Sequence, residues 1–496
     1  MLRRSFGALL AFAASASGAS TLTVTNTNDA GAGSLRQAID DANASSDPDT
    51  IAFAIAGAAP HTIVPATRLP TLEGALVIDG YTQPGSTPNT REVDEGGLDT
   101  VLAIEIDGAG AGFFGFVVAN GASVTLRGLS IHGFGSPKIA GGGASSALTI
   151  EGCFVGTTID GFSAESPGSQ QSCIAAGSGA LQLGGTTAAA RNLVSGCGHS
   201  GIVTGPGATI IEGSLLGTDA TGTRAIPNRT AGITASSASD DTSLRIGGSA
   251  AGARNVISGN GLAGVLLANA NRYASFAIAG NFIGTDASGR RPVPNGDADG
   301  VDFGGGIVIW NGASAPDHFE IGGFAPGEAN VIAFNEGAGI RARAGTAAES
   351  FDQRGNRVHH NRARDRANVD LAPPGATPND PGDIDDGANA GQNWPMIEAA
   401  SLDGDRLTVT YRVDSAPEAS EYPLRVDFYE NVAGGTGALL GQDTYAADMA
   451  QTSRTIAFDV PPDVRAFPIV AVATDARGYS SELSPAFDVV FEHDFD

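Results

Sequence analysis

What most constrains this chain is that three long segments say nearly the same thing. Residues 149–202 contain TIEGCFVGTT, LQLGG and RNLVSGCGHSGI. Residues 210–265 contain IIEGSLLGTDATGTRAIPN, AGI, LRIGG and RNVISGNGLAGV, and residues 277–340 contain AIAGNFIGTDASGRRPVPN, GGI, FEIGG and ANVIAFNEGAGI. Gly156, Gly217 and Gly284 are equivalent, so the offsets are 61 and 67 residues. Self-similarity at such a period means stacked units, each burying its apolar face only against its neighbours.

Within each unit, apolar residues alternate at period two over four or five positions, bounded by Gly, Asn and Asp, as at 208–212, 243–246 and 255–257. That is the signature of short strands. No helical pattern lies between them, which excludes a βαβ fold. Three apolar triplets per unit predict three coils of about 20–22 residues in a three-faced parallel β-helix, with equivalent strands stacked about 4.8 Å apart. Weaker copies at 76–80, 104–108 and 126–131, and a last one near 357–371, extend the solenoid over residues 61–371, about 14–15 coils. Asn192, Asn255 and Asn330 precede equivalent strands, and Asn260, Asn281 and Asn335 occupy the following turns. Asparagine tolerates left-handed backbone and hydrogen-bonds its neighbour in a stack, so these residues predict a structural ladder.

A solenoid end exposes unpaired backbone and needs a cap. Residues 34–43 form the one good amphipathic helix pattern, with Ser34 as N-cap and Gln37 three residues on, as in a capping box. Downstream, 372–398 shifts to Pro, Gly, Asp and Asn, a linker composition. Period-two segments at 406–411, 424–429, 455–458 and 469–473 then predict an immunoglobulin-like β-sandwich. The expected organisation is a signal peptide at 1–19, an N-terminal cap at 20–60, the β-helix at 61–371, an acidic linker at 372–398, the sandwich at 399–492 and a tail at 493–496.

Residues 1–19 carry Arg3-Arg4, a short apolar run and small residues at a cleavage point, which reads as an export signal. No apolar stretch is long enough to span a bilayer. The formal net charge of −26 argues against nucleic-acid and anionic-membrane partners. A secreted or surface-attached monomer is expected. Cys153, Cys173 and Cys197 are too few for a disulfide framework, and buried free thiols are the expectation.

The stretch TVTNTND followed by GSLRQAIDDAN resembles the CSLREA-type N-terminal cap, with Gly33 in place of its cysteine and Gln37 in place of its glutamate. The IGTD, IGG and NVISGN motifs resemble those of bacterial secreted right-handed parallel β-helix repeat proteins carrying that cap. GATPNDPGDIDDGANAGQNWP, and a final ATDARGYSSELS, resemble the usual end of such chains. The resemblance implies the right-handed solenoid and a secreted or surface-associated life, and assigns no catalytic residues.

No catalytic residue is assigned, and the alternatives to a binding or adhesion protein are a polysaccharide lyase or hydrolase acting on the solenoid face and a structural extracellular spacer. A uronate lyase needs a base, and Lys138 is the only lysine, in a Gly-rich loop; Arg354 to Arg366 with His359 and His360 reads better as a solvated terminal coil. Asp240-Asp241 does not follow the acid motif order of a polygalacturonase-like hydrolase and reads as a turn. The third repeat, however, advances eleven positions from Asn295 to Gly306 where the second advances four from Asn228 to Gly232. This insertion brings Asp297, Asp299 and Asp302 before Trp310, and solenoid insertions often form binding loops. Asp380, Asp383, Asp385, Asp386 and Asn389 form the densest oxygen cluster and are candidate calcium ligands. The expected partner is a polysaccharide or another cell-surface ligand, with calcium the one candidate cofactor.

Overall fold

The computed structural model describes residues 19–164, 171–236, 242–268, 275–296, 304–310, 319–343, 350–362, 368–461 and 468–491. Strands of two to six residues stack into three parallel sheets of 11, 10 and 9 strands, forming a right-handed parallel β-helix. Each sheet contributes one inward column. In the first, Ile51, Ile78, Leu126, Ile150, Leu183, Ile211, Ile246, Ile278 and Ile321 lie in register and are fully buried. Burying one such side chain stabilises by about 1.5–3 kcal/mol, so the column is a large part of what holds the rod together.

The coils are longer and fewer than the triplet count predicts. Phe154 pairs with Leu193, and Leu193 with Leu215, so the chain goes round twice between Gly156 and Gly217. The same holds from Leu215 through Val256 to Phe282. Eleven strands in the first sheet replace the expected 14–15 coils. The Gly-Thr-Thr and GTD segments absorb part of the difference, because each leaves the coil as a turn closed by its own bridge, Thr157 to Ala164, Thr218 to Ala225 and Thr285 to Pro292. The Asp219 carboxylate accepts from the N–H groups of Thr223 and Arg224, and that of Asp286 from Ser288, Arg290 and Arg291. The motif aspartates therefore build turns.

Two asparagine ladders run down the rod. At the corner between the first and second sheets, the Asn281 amide donates to Ile246 O, Ala279 O and Asn330 Oδ1, while its own Oδ1 accepts from Asn255. Asn281 thus belongs with Asn255 and Asn330, one rung per coil, rather than with Asn260 and Asn335. Those two join Asn228, Asn295, Asn361 and Asn368 at the corner between the second and third sheets. All these amides are buried, which removes them from glycan contact. The thiol expectation is corrected here as well. Cys197 donates its N–H to Asn228 Oδ1, continuing the second ladder, and is disulfide-bonded to Cys173 of the preceding coil, with Cα atoms 5.4 Å apart. The register sets Cys173 in line with Gly201, Gly232 and Gly306, so aligning the repeats gives it no cysteine-like partner. Cys153 alone is a buried free thiol.

Both ends of the rod are closed. The parallel sheet already begins at Ser20–Val24 and Asp49–Phe53, upstream of residue 61, and the helix Leu35–Asn43 between them buries Leu35, Ala38, Ile39 and Ala42. Ser34 Oγ caps the Gln37 N–H, whereas the Gln37 side chain turns to Asp41, so only half of a capping box forms. Gly33 has φ +76°, and a Cβ there would collide with Thr25 Oγ1, which excludes larger residues. At the other end, sheets of four and three strands form the sandwich around Leu407, Tyr411, Val426 and Phe428. It docks on the last coil: Thr436 Oγ1 accepts from Val358 N–H and donates to Asn356 O, Ser480 Oγ accepts from Gln353 N–H, and Tyr429 OH accepts from Gly355 N–H. Arg425 adds a 2.7 Å ion pair to the buried Asp352.

Replacing Asn281 by Ala leaves several buried backbone and amide groups unpaired, each costing about 1–3 kcal/mol. Denaturant melting should show a loss of about 3 kcal/mol or more, against almost none for the exposed Asn120→Ala. A loss at Asn281 no larger than at Asn120 would show that the ladder does not stabilise the rod.

Candidate functional site

Trp310 ends the strand Gly305–Trp310 and is 47% exposed. The Arg343 guanidinium stacks 3.9 Å from its ring centroid, covering one face of the indole. Asp297, Asp299 and Asp302 lie outside the described residues, as do Asp240 and Asp241. The insertion feeds the strand at Gly305, whose N–H bonds Leu262 O, and Trp310 leaves it roughly 17 Å further along. Tryptophan and insertion therefore meet the sheet at opposite ends of one strand.

The acidic segment after the last coil is packed rather than strung out. Asp380, Asp383 and Asp385 each bring one carboxylate oxygen within 4.8 Å of the others. Asp383 is buried; it accepts from Asn393 N–H, Gln392 Nε2 and Ser420 Oγ, and burial still pushes its carboxyl up to about 6, helped by Asp380. Asp385 is raised too, by burial and then by Asp380. One oxygen of Asp380, Oδ1, is buried without a partner. Three converging carboxylates, two disfavoured as anions, have the chemistry of a hard-cation site. Asn389 is not with them. Its amide bonds both polar groups of Phe351 on the last coil and the carbonyl of Ser480, and Asp386 faces a small cleft beside Asp385.

That cleft adjoins a larger one, of about 380 Å³, between the last coil and the sandwich. Trp394, Thr377 and Glu482 line both. Glu482 ties the walls together, accepting from Leu371 N–H at 2.9 Å and Thr377 N–H at 2.8 Å. The only hint in the sequence was a tryptophan in a segment that otherwise reads as linker.

Several other reactive groups among the described residues are enclosed or engaged. Lys138 is buried, which pushes its amine down to about 8. Arg354 pairs with Asp352 and Glu320, and Arg362 with Glu336. Burial, and then His360 and Arg357, push His359 down to about 4. His132 is buried with Nε2 2.9 Å from Glu105, whose other oxygen accepts from Thr62. On the outside of the second sheet, Phe154, Leu193, Leu215 and Val256 are covered by Leu98 and Leu102. The buried Arg191 fastens that covering loop by donating to the carbonyls of Arg91, Glu92, Gly96 and Gly97. No reading of the sequence singled out this arginine. No family model matches the chain, and no curated protein matches its sequence.

The raised value at Asp383 has a definite sign. Its folded pKa of about 6 stands above the ordinary 3.8, so the fold favours the neutral acid. Its contribution to stability is complete below the ordinary value and is lost as pH rises through about 6. In chelator, the wild type should therefore lose stability relative to Asp383→Asn between pH 5 and pH 8. Parallel thermal melts giving a flat difference would contradict a neutral Asp383.

Proposed function

We propose that the chain is an exported, non-catalytic carbohydrate- or surface-binding rod of the CSLREA-capped β-helix kind, with ligand taken on the solenoid at Trp310. The observation that carries this reading is Trp310 itself, a large indole left 47% exposed with one face backed by Arg343. An aromatic ring fixed by a stacked cation is a rigid platform of low entropic cost, suited to the apolar face of a sugar. Export is supported by the basic and apolar start of the sequence, by the net charge of −26 and by the Cys173–Cys197 disulfide, which suits an oxidising compartment. Calcium at Asp380, Asp383 and Asp385 belongs to the proposal as a structural ion steadying the joint between rod and sandwich. The sealed outer face of the second sheet and the enclosed Lys138 favour binding over polysaccharide cleavage.

Trp310→Ala should weaken binding on a glycan array or to intact cells about tenfold without changing the melting temperature. Release of soluble or unsaturated sugars from uronate or neutral polysaccharides would replace this reading with an enzymatic one. Millimolar calcium should raise the melting temperature of the wild type and leave Asp380→Asn unchanged. An equal rise in both would remove the ion from the proposal.

A further inference from the structure

We propose that the cleft between the last coil and the sandwich is a second binding site, selective for a neutral sugar ring. The proposal rests on the carbohydrate-binding reading and gives it a location and a ligand class that Trp310 does not supply. At about 380 Å³ the cleft has the size of a small-ligand pocket. Trp394, Pro378 and Pro485 give it flat apolar walls. Among these apolar residues, Asn431 Nδ2 and Thr377 Oγ1 are both buried without a hydrogen-bond partner.

Two orphaned polar atoms on one cleft are informative, because leaving each unsatisfied costs about 1–3 kcal/mol and such groups are rare in folded proteins. Asn431 Nδ2 can only donate, and the Thr377 hydroxyl can donate or accept. Both atoms are closed off from solvent, so a sugar hydroxyl meets either need once the side chain turns into the cleft, and the C–H face of the ring fits against an indole or a proline. A purely apolar ligand would leave both atoms unsatisfied. The backbone of Thr377 is held in place by its N–H bond to Glu482.

Charge selects among sugars. The carboxylates at the cleft and its neighbour are Glu482, Asp385 and Asp386, and no cationic residue is among the described residues that line either. Against these carboxylates a uronate or sulfated ring meets repulsion. A neutral ring does not.

The two tryptophans of the chain are Trp310 and Trp394, so Trp310→Phe leaves Trp394 as the only indole reporter. That full-length variant would be titrated, by tryptophan fluorescence, with methyl glycosides of glucose, galactose, mannose and N-acetylglucosamine, with methyl galacturonoside and with a proline-rich peptide. The expected result is a saturable change with at least one neutral glycoside. Adding Asn431→Ala or Thr377→Val should weaken it about tenfold at an unchanged melting temperature, and the galacturonoside should bind at least about tenfold more weakly. No response to any neutral glycoside, preference for the galacturonoside, equal affinity in both variants, or a response to the peptide alone would overturn the proposal. Wild-type protein on a glycan array separates the two levels. Array binding with a silent titration removes this cleft and leaves the carbohydrate-binding reading standing, whereas no array binding removes both.

Discussion

At each turn between sheets, the chain of a parallel β-helix leaves backbone N–H and C=O groups pointing along the rod axis, away from water and out of reach of the strand ladders. A buried polar group without a partner costs more than a hydrogen bond returns, so each coil must find partners for these groups. The asparagine amide does so with one side chain. In Asn281 it donates to two carbonyls of its surroundings and to the next rung, and it accepts from the rung before. Because each rung fixes the height of its coil, the strands follow in register, and the inward columns of isoleucine and leucine follow from the register. The aliphatic core supplies most of the free energy, while the ladders decide that it is gained in only one alignment.

The same constraint governs the ends, where a coil has no successor. Nine residues of amphipathic helix cover the first coil. The last coil is met by the sandwich, whose Thr436, Ser480 and Tyr429 bond backbone groups that another coil would otherwise have taken. Asn389 does likewise for Phe351 from within the acidic segment. The sandwich is thus a cap of the solenoid as well as a domain of its own. The Asp352–Arg425–Asp427 chain of ion pairs, too buried to be a surface decoration, ties the two together.

What was legible in the sequence follows from what repeats. The parallel strands, the ladder asparagines, the capping helix and the sandwich strands all carry periodic signals. The coil length did not, because a GTD turn closed by its own bridge adds residues without adding a strand, and counting apolar triplets treats it as part of another coil. Cys173 and Cys197 come together from neighbouring coils, and Arg191 reaches a loop about a hundred residues away in sequence; neither contact has a local pattern. The junction was hidden for a related reason. Residues 372–398 have the composition of a linker, yet Asp383, Asn389 and Asn393 are buried, since their polar side chains are spent on backbone groups of two different units.

Repetition also indicates where binding should be sought. The residues that recur are committed: Asn255 and Asn260 to the corners, Asp219 and Asp286 to the turns, the isoleucines to the core. A side chain that must fill a rung in every coil has no freedom to meet a ligand. On the proposed reading recognition falls to positions outside the repeat, and the two tryptophans are both of that kind. Trp310 stands at the end of a strand whose equivalents end in small residues such as Ala268, and Trp394 stands where solenoid gives way to sandwich. A large aromatic group at either place gains nothing from the stacking that rewards the other apolar residues. On the proposed reading, contact with a ligand outside the rod offsets its exposed apolar surface.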